Sequence, residues 1–354
     1  MALSPKLFIH EFVTGGGWSQ GELPEGLADE ALAMLWALLV DFNKWGQVRT
    51  SILLDARFEN QIPGLDRKTL PADEVILVEP QQHASIFADM VKRSDAVLVL
   101  APETGGNLAR LTKIVEDSGV LLLGSSSVAV LAAGDKVECF QRFQKASLPT
   151  PPVQVIDFDS AIRRAGEFHY PAIIKPQDGV GCEGVCLVNQ PSEMAEALKL
   201  ARKATHHDKI LVQPYIKGVN ASVSLLVAQD RAVPLSLNGQ DIEPGRPFTY
   251  CGGIVPLAAP AAARAFEVAC EAVRQVPGLQ GYVGIDLVLA QDEAWLIEIN
   301  PRLTTSYVGL RQVLSVNLAR AIWDACRFGI LPEQISITGK AVFVKRDPGS
   351  WKIE

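Results

Sequence analysis

The sequence predicts an α/β domain built on a doubly wound parallel sheet, followed by two α+β lobes. Three observations lead there. Through the first third, short apolar runs rich in β-branched residues alternate with stretches of helical period, which is the pattern of βαβ units. Beyond Asp135 that alternation stops, broken by Pro149, Pro151, Pro152 and Pro171, and strands follow one another without regular crossover helices. The length, 354 residues, suits about two domains at roughly 150 residues each.

Residues 6–13 read as a strand leading into Gly15-Gly16-Gly17, and a helix follows from about Gly26 to Trp45. That helix holds the longest apolar block, residues 31–40, which suits a core helix and falls short of a membrane span. Strands at 49–54, 74–78, 96–100 and 120–123 then alternate with helices at 81–94 and 107–118. Ligands of such sheets bind beyond the carboxyl ends of the strands, which singles out the loops 14–17, 55–58 and 101–107. The triple glycine is not G-x-G-x-x-G, and no ribose acid stands at the right distance, so a dinucleotide site is not expected. A loop that brings a substrate close to the backbone of Gly15 and Gly16 is expected instead.

A helix begins near Asp135, and strands are expected at 172–175, 185–188, 210–214, 221–228, 284–289 and 294–299. The last two form a hairpin through Ala290-Gln291-Asp292-Glu293. Boundaries are expected at 1–127 for the first domain, 128–209 for a small lobe and 210–354 for a C-terminal lobe.

Composition narrows the function. The net charge of −7 argues against a nucleic-acid binder. The opening MALSPKLFIHEF lacks a signal-peptide core, and no stretch reaches membrane length, so a cytoplasmic enzyme without membrane partners is expected. The six cysteines have no zinc spacing and read as reduced, packed thiols. His10 reads as structural, and His206 and His207 as solvated in a polar loop. A homo-oligomer is compatible with the sequence.

Three segments carry chemistry. In the first, the apolar strand Ile173-Ile174-Lys175 runs into Gly179, Gly181 and Gly184 and then into another strand. Such a hairpin can fold over a polyphosphate, with backbone N–H groups on oxygens and Lys175 as a point charge. It is no Walker loop, and an ordinary glycine hairpin with a surface lysine remains the plainer alternative. In the second, Gly284-Ile285-Asp286 and Glu298-Ile299-Asn300-Pro301-Arg302 place oxygen ligands on adjacent apolar strands. Glu298 and Asn300 are two apart and share a face; hard oxygens of this kind suit Mg²⁺ held partly by phosphates. Arg302 is placed to bridge a phosphoryl group and a carboxylate. The third, Gln213-Pro214-Tyr215-Ile216-Lys217-Gly218, ends a strand in a kinked linker, a candidate hinge whose backbone can pair with an adenine edge.

Taken in order, Lys136, the Lys175 strand with its glycine loop, the Gln213–Gly218 linker, Asp286 and the Glu-x-Asn-Pro-Arg segment resemble the ATP-grasp superfamily over nearly the whole chain. The resemblance implies that the first domain is a pre-ATP-grasp domain and that the two lobes clamp ATP. It further implies that Lys136 and Lys175 hold the α- and β-phosphates and that the loop 178–184 covers the β/γ end. Gln213, Tyr215 and Ile216 would meet the adenine, Gln213 standing where many members have glutamate. Asn220 stands where a ribose-binding glutamate is common. Asp286, Glu298 and Asn300 would bind Mg²⁺, with two ions expected and Mn²⁺ an alternative. A substrate carboxylate would then attack the γ-phosphoryl in line, and an amine would attack the resulting acyl phosphate.

The His10-Glu11 opening, Asp55-Ala56-Arg57, Pro102-Glu103 and Arg302-Leu303-Thr304-Thr305-Ser306 look like one branch, the tyramine–glutamate ligases of methanofuran biosynthesis and their bacterial relatives. This implies γ-glutamyl transfer to a tyramine-like or tyrosine amine in the making of a one-carbon carrier. Thr304, Thr305 and Ser306 join Arg302 as candidate grips. Arg57 and Glu103 are candidates for a substrate carboxylate and an ammonium, against the alternative of loop salt bridges. An amino-acid or dipeptide ligase like D-alanine–D-alanine ligase, and a non-catalytic ATP-binding sensor, are the competing readings.

Overall fold

The computed structural model describes residues 4–19, 21, 23, 27–61, 70–345 and 351–353. Gly26, the expected start of the first long helix, lies outside them. The first sheet holds β1 (Lys6–Glu11), β2 (Arg49–Asp55), β3 (Glu74–Val78), β4 (Ala96–Leu100) and a short β5 (Leu121–Leu122). It is ordered β3-β2-β1-β4-β5 and parallel throughout. The helices of this domain are α1 (Leu27–Trp45), α2 (Ala56–Gln61), α3 (His83–Lys92) and α4 (Asn107–Ser118).

Alternate residues of β1 bury on opposite faces. Leu7 and Ile9 join Leu35, Leu38 and Phe42 of α1, whereas Phe8 packs with Phe87 of α3 and Leu111 of α4. Covering both faces is what a parallel sheet needs. The expected strand 6–13 stops at Glu11 because the chain folds back, Gly15 N–H donating to the Glu11 carbonyl at 2.8 Å and Gly17 N–H to Phe12 at 2.7 Å. Strand order reverses between β1 and β4, so the loops after those two strands flank the crevice where ligands of such sheets bind.

Two helices lead out of the first domain, α5 (Ser127–Gly134) and α6 (Lys136–Lys145). Asp135 separates them, and its carboxylate accepts from Val137 N–H at 2.8 Å and Glu138 N–H at 3.2 Å. This cap makes Lys136 the first residue of α6. The small lobe is the antiparallel sheet β6 (Gln154–Asp157), β7 (Ala172–Pro176), β8 (Cys186–Val188) and β9 (Lys209–Pro214), ordered β6-β9-β7-β8. Its core includes Ala161 of α7 (Phe158–Arg163) and Met194 and Leu198 of α8 (Met194–Lys203).

The large lobe is a seven-stranded antiparallel sheet. Its strands are β10 (Val219–Ala228), β11 (Arg231–Glu243), β12 (Thr249–Val255), β13 (Gly281–Ala290), β14 (Glu293–Asn300), β15 (Ala341–Lys345) and β16 (Trp351–Ile353). The expected hairpin is β13–β14, paired up to Ala290 and Glu293. One face buries Val223, Leu225, Ile285 and Leu287 with Val268 and Ala272 of α9 (Ala262–Arg274); Ser222, Ser224, Gly284 and Asp286 alternate with them on the other.

The large lobe packs against both the first domain and the small lobe. Helices α10 (Ser306–Val313) and α11 (Leu318–Phe328) return to the first domain, where Tyr307, Leu310, Ile322 and Trp323 share a core with Leu35, Leu38 and Phe42. Within that contact the Asp41 carboxylate accepts from Arg311 Nε at 2.8 Å and Tyr307 Oη at 2.9 Å. The β11–β12 tip reaches the small lobe. Leu187 N–H donates to the Gly245 carbonyl and Phe248 N–H to that of Val185, both at 2.8 Å, while Arg246 pairs with Glu193 and, at 3.4 Å, with Glu196. Among the described residues no helix is long and apolar enough to cross a membrane.

Candidate active site

The sheet of the large lobe turns its polar row toward two lysines of the small lobe. Asp286 and Glu298 are direct neighbours across β13 and β14, and the register slips between Asp286 and Leu287. This bulge gives β14 one extra residue, Ile297. Leu296 and Ile299 therefore both pack in the core, while Glu298 and Asn300 are left on the face of Asp286. Asn300 Nδ2 donates to Asp286 Oδ2 and Gln240 Nε2 to Asp286 Oδ1, both at 3.0 Å.

Lys136, at the start of α6, lies 3.0 Å from Glu298 Oε2 and donates to the Gly179 carbonyl at 2.5 Å. Burial works against its charge, but Glu298 more than offsets this and holds the Lys136 pKa above the ordinary value. Lys175, 5% exposed on β7, is pushed down to about 8 by burial and then by Lys136. Burial also penalises the Glu298 charge, yet the two lysines keep its carboxyl below the usual range. Asp286 is pushed up to about 8, by burial and then by Glu298. The result is a cluster of two acids and two lysines that act on one another's charges, in which one acid carries a proton more readily than the other.

The glycine loop between β7 and β8 arches over this cluster. Gly184 has a φ of +68°, and a Cβ there would come within 2.8 Å of Ala204 Cβ and 2.9 Å of Pro176 Cγ, so the position accepts no side chain without rearrangement. Gly181 and Cys182 also take positive φ, +61° and +69°. Cys182 is pushed up to about 12 by burial and then by Glu298 and Asp286, so its thiol is inert and close to the acids. All six cysteines are free.

Gln213 is the last residue but one of β9, and Tyr215, Ile216, Lys217 and Gly218 form the linker that passes into β10, where Asn220 pairs in register with Val288. The chain thus crosses from the small sheet to the large one where the sequence suggests a hinge.

Arg302 meets Glu103 of the first domain. Its Nε lies 3.0 and 3.2 Å from the two carboxylate oxygens, Nη2 donates to Oε2 at 3.1 Å, and Nη1 donates to the Leu303 carbonyl at 3.0 Å. Of the five guanidinium N–H groups, one on each terminal nitrogen has no partner among the described residues. Two residues singled out separately from sequence are therefore one buried pair, 17% and 6% exposed. Arg57 is engaged more completely: it forks onto Asp55 and donates to the carbonyls of Gly21 at 2.8 Å and Trp18 at 2.6 Å, stapling the glycine-rich loop to β2. Gly15 and Gly16 lie beside His10, Asp55 and His83.

Thr304 and Ser306 belong to a buried hydroxyl network with Ser224 and Tyr282. Ser224 and Tyr282 are 2.7 Å apart, Thr304 and Ser306 2.8 Å. Thr305 instead donates to Glu30, on the first turn of α1. Thr305 lies three residues after Arg302, and the negative charge of Glu30 contributes to raising the pKa values of Arg302, Tyr250 and Cys182. Sequence reading passed over Glu30, Tyr250 and Gln240. The first looks like an ordinary solvated acid in a helical first turn, and the other two lie on β11 and β12, which have no motif. Among the described residues no group of three or more His, Cys, Asp or Glu forms a metal cage. Two carboxylates and an amide oxygen instead fit an ion that keeps phosphate oxygens in its shell.

Two α+β lobes that face each other behind a five-stranded parallel domain define the class, and comparison with known families agrees. The ATP-grasp domain family matches residues 133–306 and the pre ATP-grasp 3 domain family residues 48–130. The chain belongs to the ATP-grasp family, among its carboxylate–amine ligases, and that family uses ATP and Mg²⁺. It is similar to the tyramine–L-glutamate ligase of Methanocaldococcus fervens, 31% identical over 308 residues that cover 86% of this chain and 89% of the relative. A solved ATP-grasp superfamily protein from Archaeoglobus fulgidus is 25% identical, with a TM-score of 0.70 over 99% of this chain and 98% of the other. Biotin carboxylase from Campylobacter jejuni shares the fold, with a TM-score of 0.76 at 16% identity over 96% of this chain and 75% of the other.

Proposed function

We propose that the protein joins the γ-carboxylate of glutamate, through an acyl phosphate, to a tyramine- or tyrosine-like amine, as a step in making a methanofuran-like one-carbon carrier. The likeness to a tyramine–L-glutamate ligase across 86% of the chain is what carries the choice of substrates. The domains are read as 1–127, 128–209 and 210–354. Lys136 and Lys175 hold the α- and β-phosphates, and Gly179, Gly181 and Gly184 line the loop over the β/γ end. Gln213, Tyr215 and Ile216 border the adenine, and Asn220 the ribose. Asp286, Glu298 and Asn300 hold one or two magnesium ions, which supply positive charge to the transferring phosphoryl group. The two spare N–H groups of Arg302 take the donor carboxylate. Glu30 faces the acceptor and holds its ammonium, drawing a proton from it before the amine attacks.

The deciding experiment measures ADP release with Mg-ATP and glutamate, adding tyramine, tyrosine or D-alanine in turn. Turnover with tyramine or tyrosine and a γ-glutamyl product by mass is the expected result. Turnover with D-alanine alone would move the protein to the dipeptide ligases, and ATP binding without turnover would make it a sensor.

Three further outcomes are expected. Lys175→Ala weakens ATP binding about ten- to a hundredfold, the worth of one charge-assisted contact; calorimetry giving wild-type affinity would remove Lys175 from the site. Glu30→Gln raises the KM for the amine about tenfold and leaves that for ATP alone, as expected for a lost ammonium contact; an unchanged amine KM would free Glu30 of the role. The third concerns pH. Asp286 must lose its proton to bind an ion, and with its carboxyl near 8 a proton competes at neutral pH. Apparent Mg²⁺ affinity in the presence of ATP is therefore expected to rise with pH up to about 8 and then level. Below that it falls by up to about tenfold per unit, and equal affinities at pH 6.5 and 8.5 would count against the assignment.

A further inference from the structure

Asp178, at the root of the glycine loop, joins three segments of the chain. Its Oδ1 accepts from Thr205 Oγ1 at 2.6 Å, in the loop after α8. Its Oδ2 accepts from Gly105 N–H at 3.2 Å and lies 3.6 Å from His207 Nε2. Its backbone carbonyl accepts from Thr104 Oγ1 at 2.9 Å. The turn of residues 104–106 presents these donors because Gly105 and Gly106 both adopt left-handed φ, +64° and +68°. Both carboxylate oxygens are engaged within the protein, so the residue reads as a tie and not as a nucleotide ligand.

What the tie connects gives it meaning. Thr104 directly follows Glu103, which holds Arg302, and Asp178 directly precedes Gly179, whose carbonyl accepts from Lys136, itself paired with Glu298. An unbroken line of contacts thus runs from the arginine facing the donor carboxylate, through the loop after β4, to the root of the glycine loop and on to the phosphate end. Resting on the ligase reading above, we propose that Asp178 is a positioning residue that couples closure of the glycine loop to the substrate loop of the first domain, so that phosphoryl transfer is favoured when the carboxylate is in place. Physical coupling needs such a contiguous set of contacts and an element that can take two positions, and a glycine loop covering phosphates has the second property.

The chemistry makes the coupling useful. With the carboxylate bound, its oxygen attacks the γ-phosphorus and the bond to the β-γ bridging oxygen breaks, giving acyl phosphate and ADP. Without it, water supplies the oxygen and ATP is lost as ADP and phosphate. Loosening the tie should therefore raise the second reaction relative to the first.

The test compares wild type with Asp178→Ala, Asp178→Asn and Thr104→Val, following ADP release with Mg-ATP alone and ADP formed per amide with both co-substrates. In wild type, release with ATP alone is expected to be slow and the ratio close to one. Asp178→Ala is expected to raise ATP-only release relative to coupled turnover about tenfold, equivalent to about 1.4 kcal/mol. Thr104→Val should move it the same way by less, and Asp178→Asn, which keeps one acceptor oxygen and the backbone carbonyl, should partly restore the wild-type ratio. A wild-type ratio in Asp178→Ala, or a uniform fall of both rates alongside a lower melting temperature, would overturn the proposal. Should wild type form no amide with any pair, the substrate reading fails, while the ATP-only comparison still decides the role of Asp178.

Discussion

Alanine at Asp286 is expected to lower kcat by about a thousandfold, the scale of removing a group that stabilises charge in the transition state. The carboxylate is a proposed ion ligand, and its two oxygens also orient Asn300 and Gln240 at 3.0 Å. Truncation takes away one ligand and loosens a second. The fold should survive, because Asp286 is neutralised at a cost in the free protein, and losing a buried carboxyl on the cleft face removes no core contact. The check is steady-state turnover at saturating Mg-ATP with circular dichroism on the same sample. Wild-type rates would mean that the ion is held elsewhere.

The second large effect falls on stability as well as rate. Arg302→Ala strands the Glu103 carboxylate, 6% exposed, with its forked partner gone. Breaking a buried pair from one side typically costs about 3–5 kcal/mol, and loss of the proposed carboxylate grip lowers kcat/KM by about a hundredfold or more. Replacing both members, as Glu103→Gln with Arg302→Met, removes the stranded charge and should recover most of the denaturant midpoint while the rate stays low. Recovery of the rate together with the stability would show that the pair is scaffolding alone.

Local periodicity and spacing made much of this legible. The alternation of β-branched runs with helices gave the parallel domain, and Glu298 and Asn300 could be read as one face because a strand repeats every two residues. What spacing could not give was the bulge at Ile297, which decides that Glu298 keeps company with Asp286 and not with Leu296. Long-range pairing was hidden for the same reason. Arg302 and Glu103 are 199 residues apart and Thr305 and Glu30 275 apart, and nothing local announces that a charge will meet its partner. Arg57 shows the converse, since Asp55 stood two residues away and the plainer alternative of a loop ion pair was visible beforehand. Strands β11 and β12 carry no chemical motif, and only the folded chain reveals that Gln240 of β11 meets Asp286.

The shared core of α1 with α10 and α11 bears on how such enzymes can be recombined. A crossover after residue 127 looks natural in the sequence, yet it would part Leu35, Leu38 and Phe42 from Tyr307, Leu310 and Trp323, and Asp41 from Arg311. The N-terminal domain is in this sense discontinuous, its last two helices being written near the end of the chain. A chimaera that exchanges substrate loops between relatives would need to carry residues 304–328 along with the first domain, or inherit a seam through its own core.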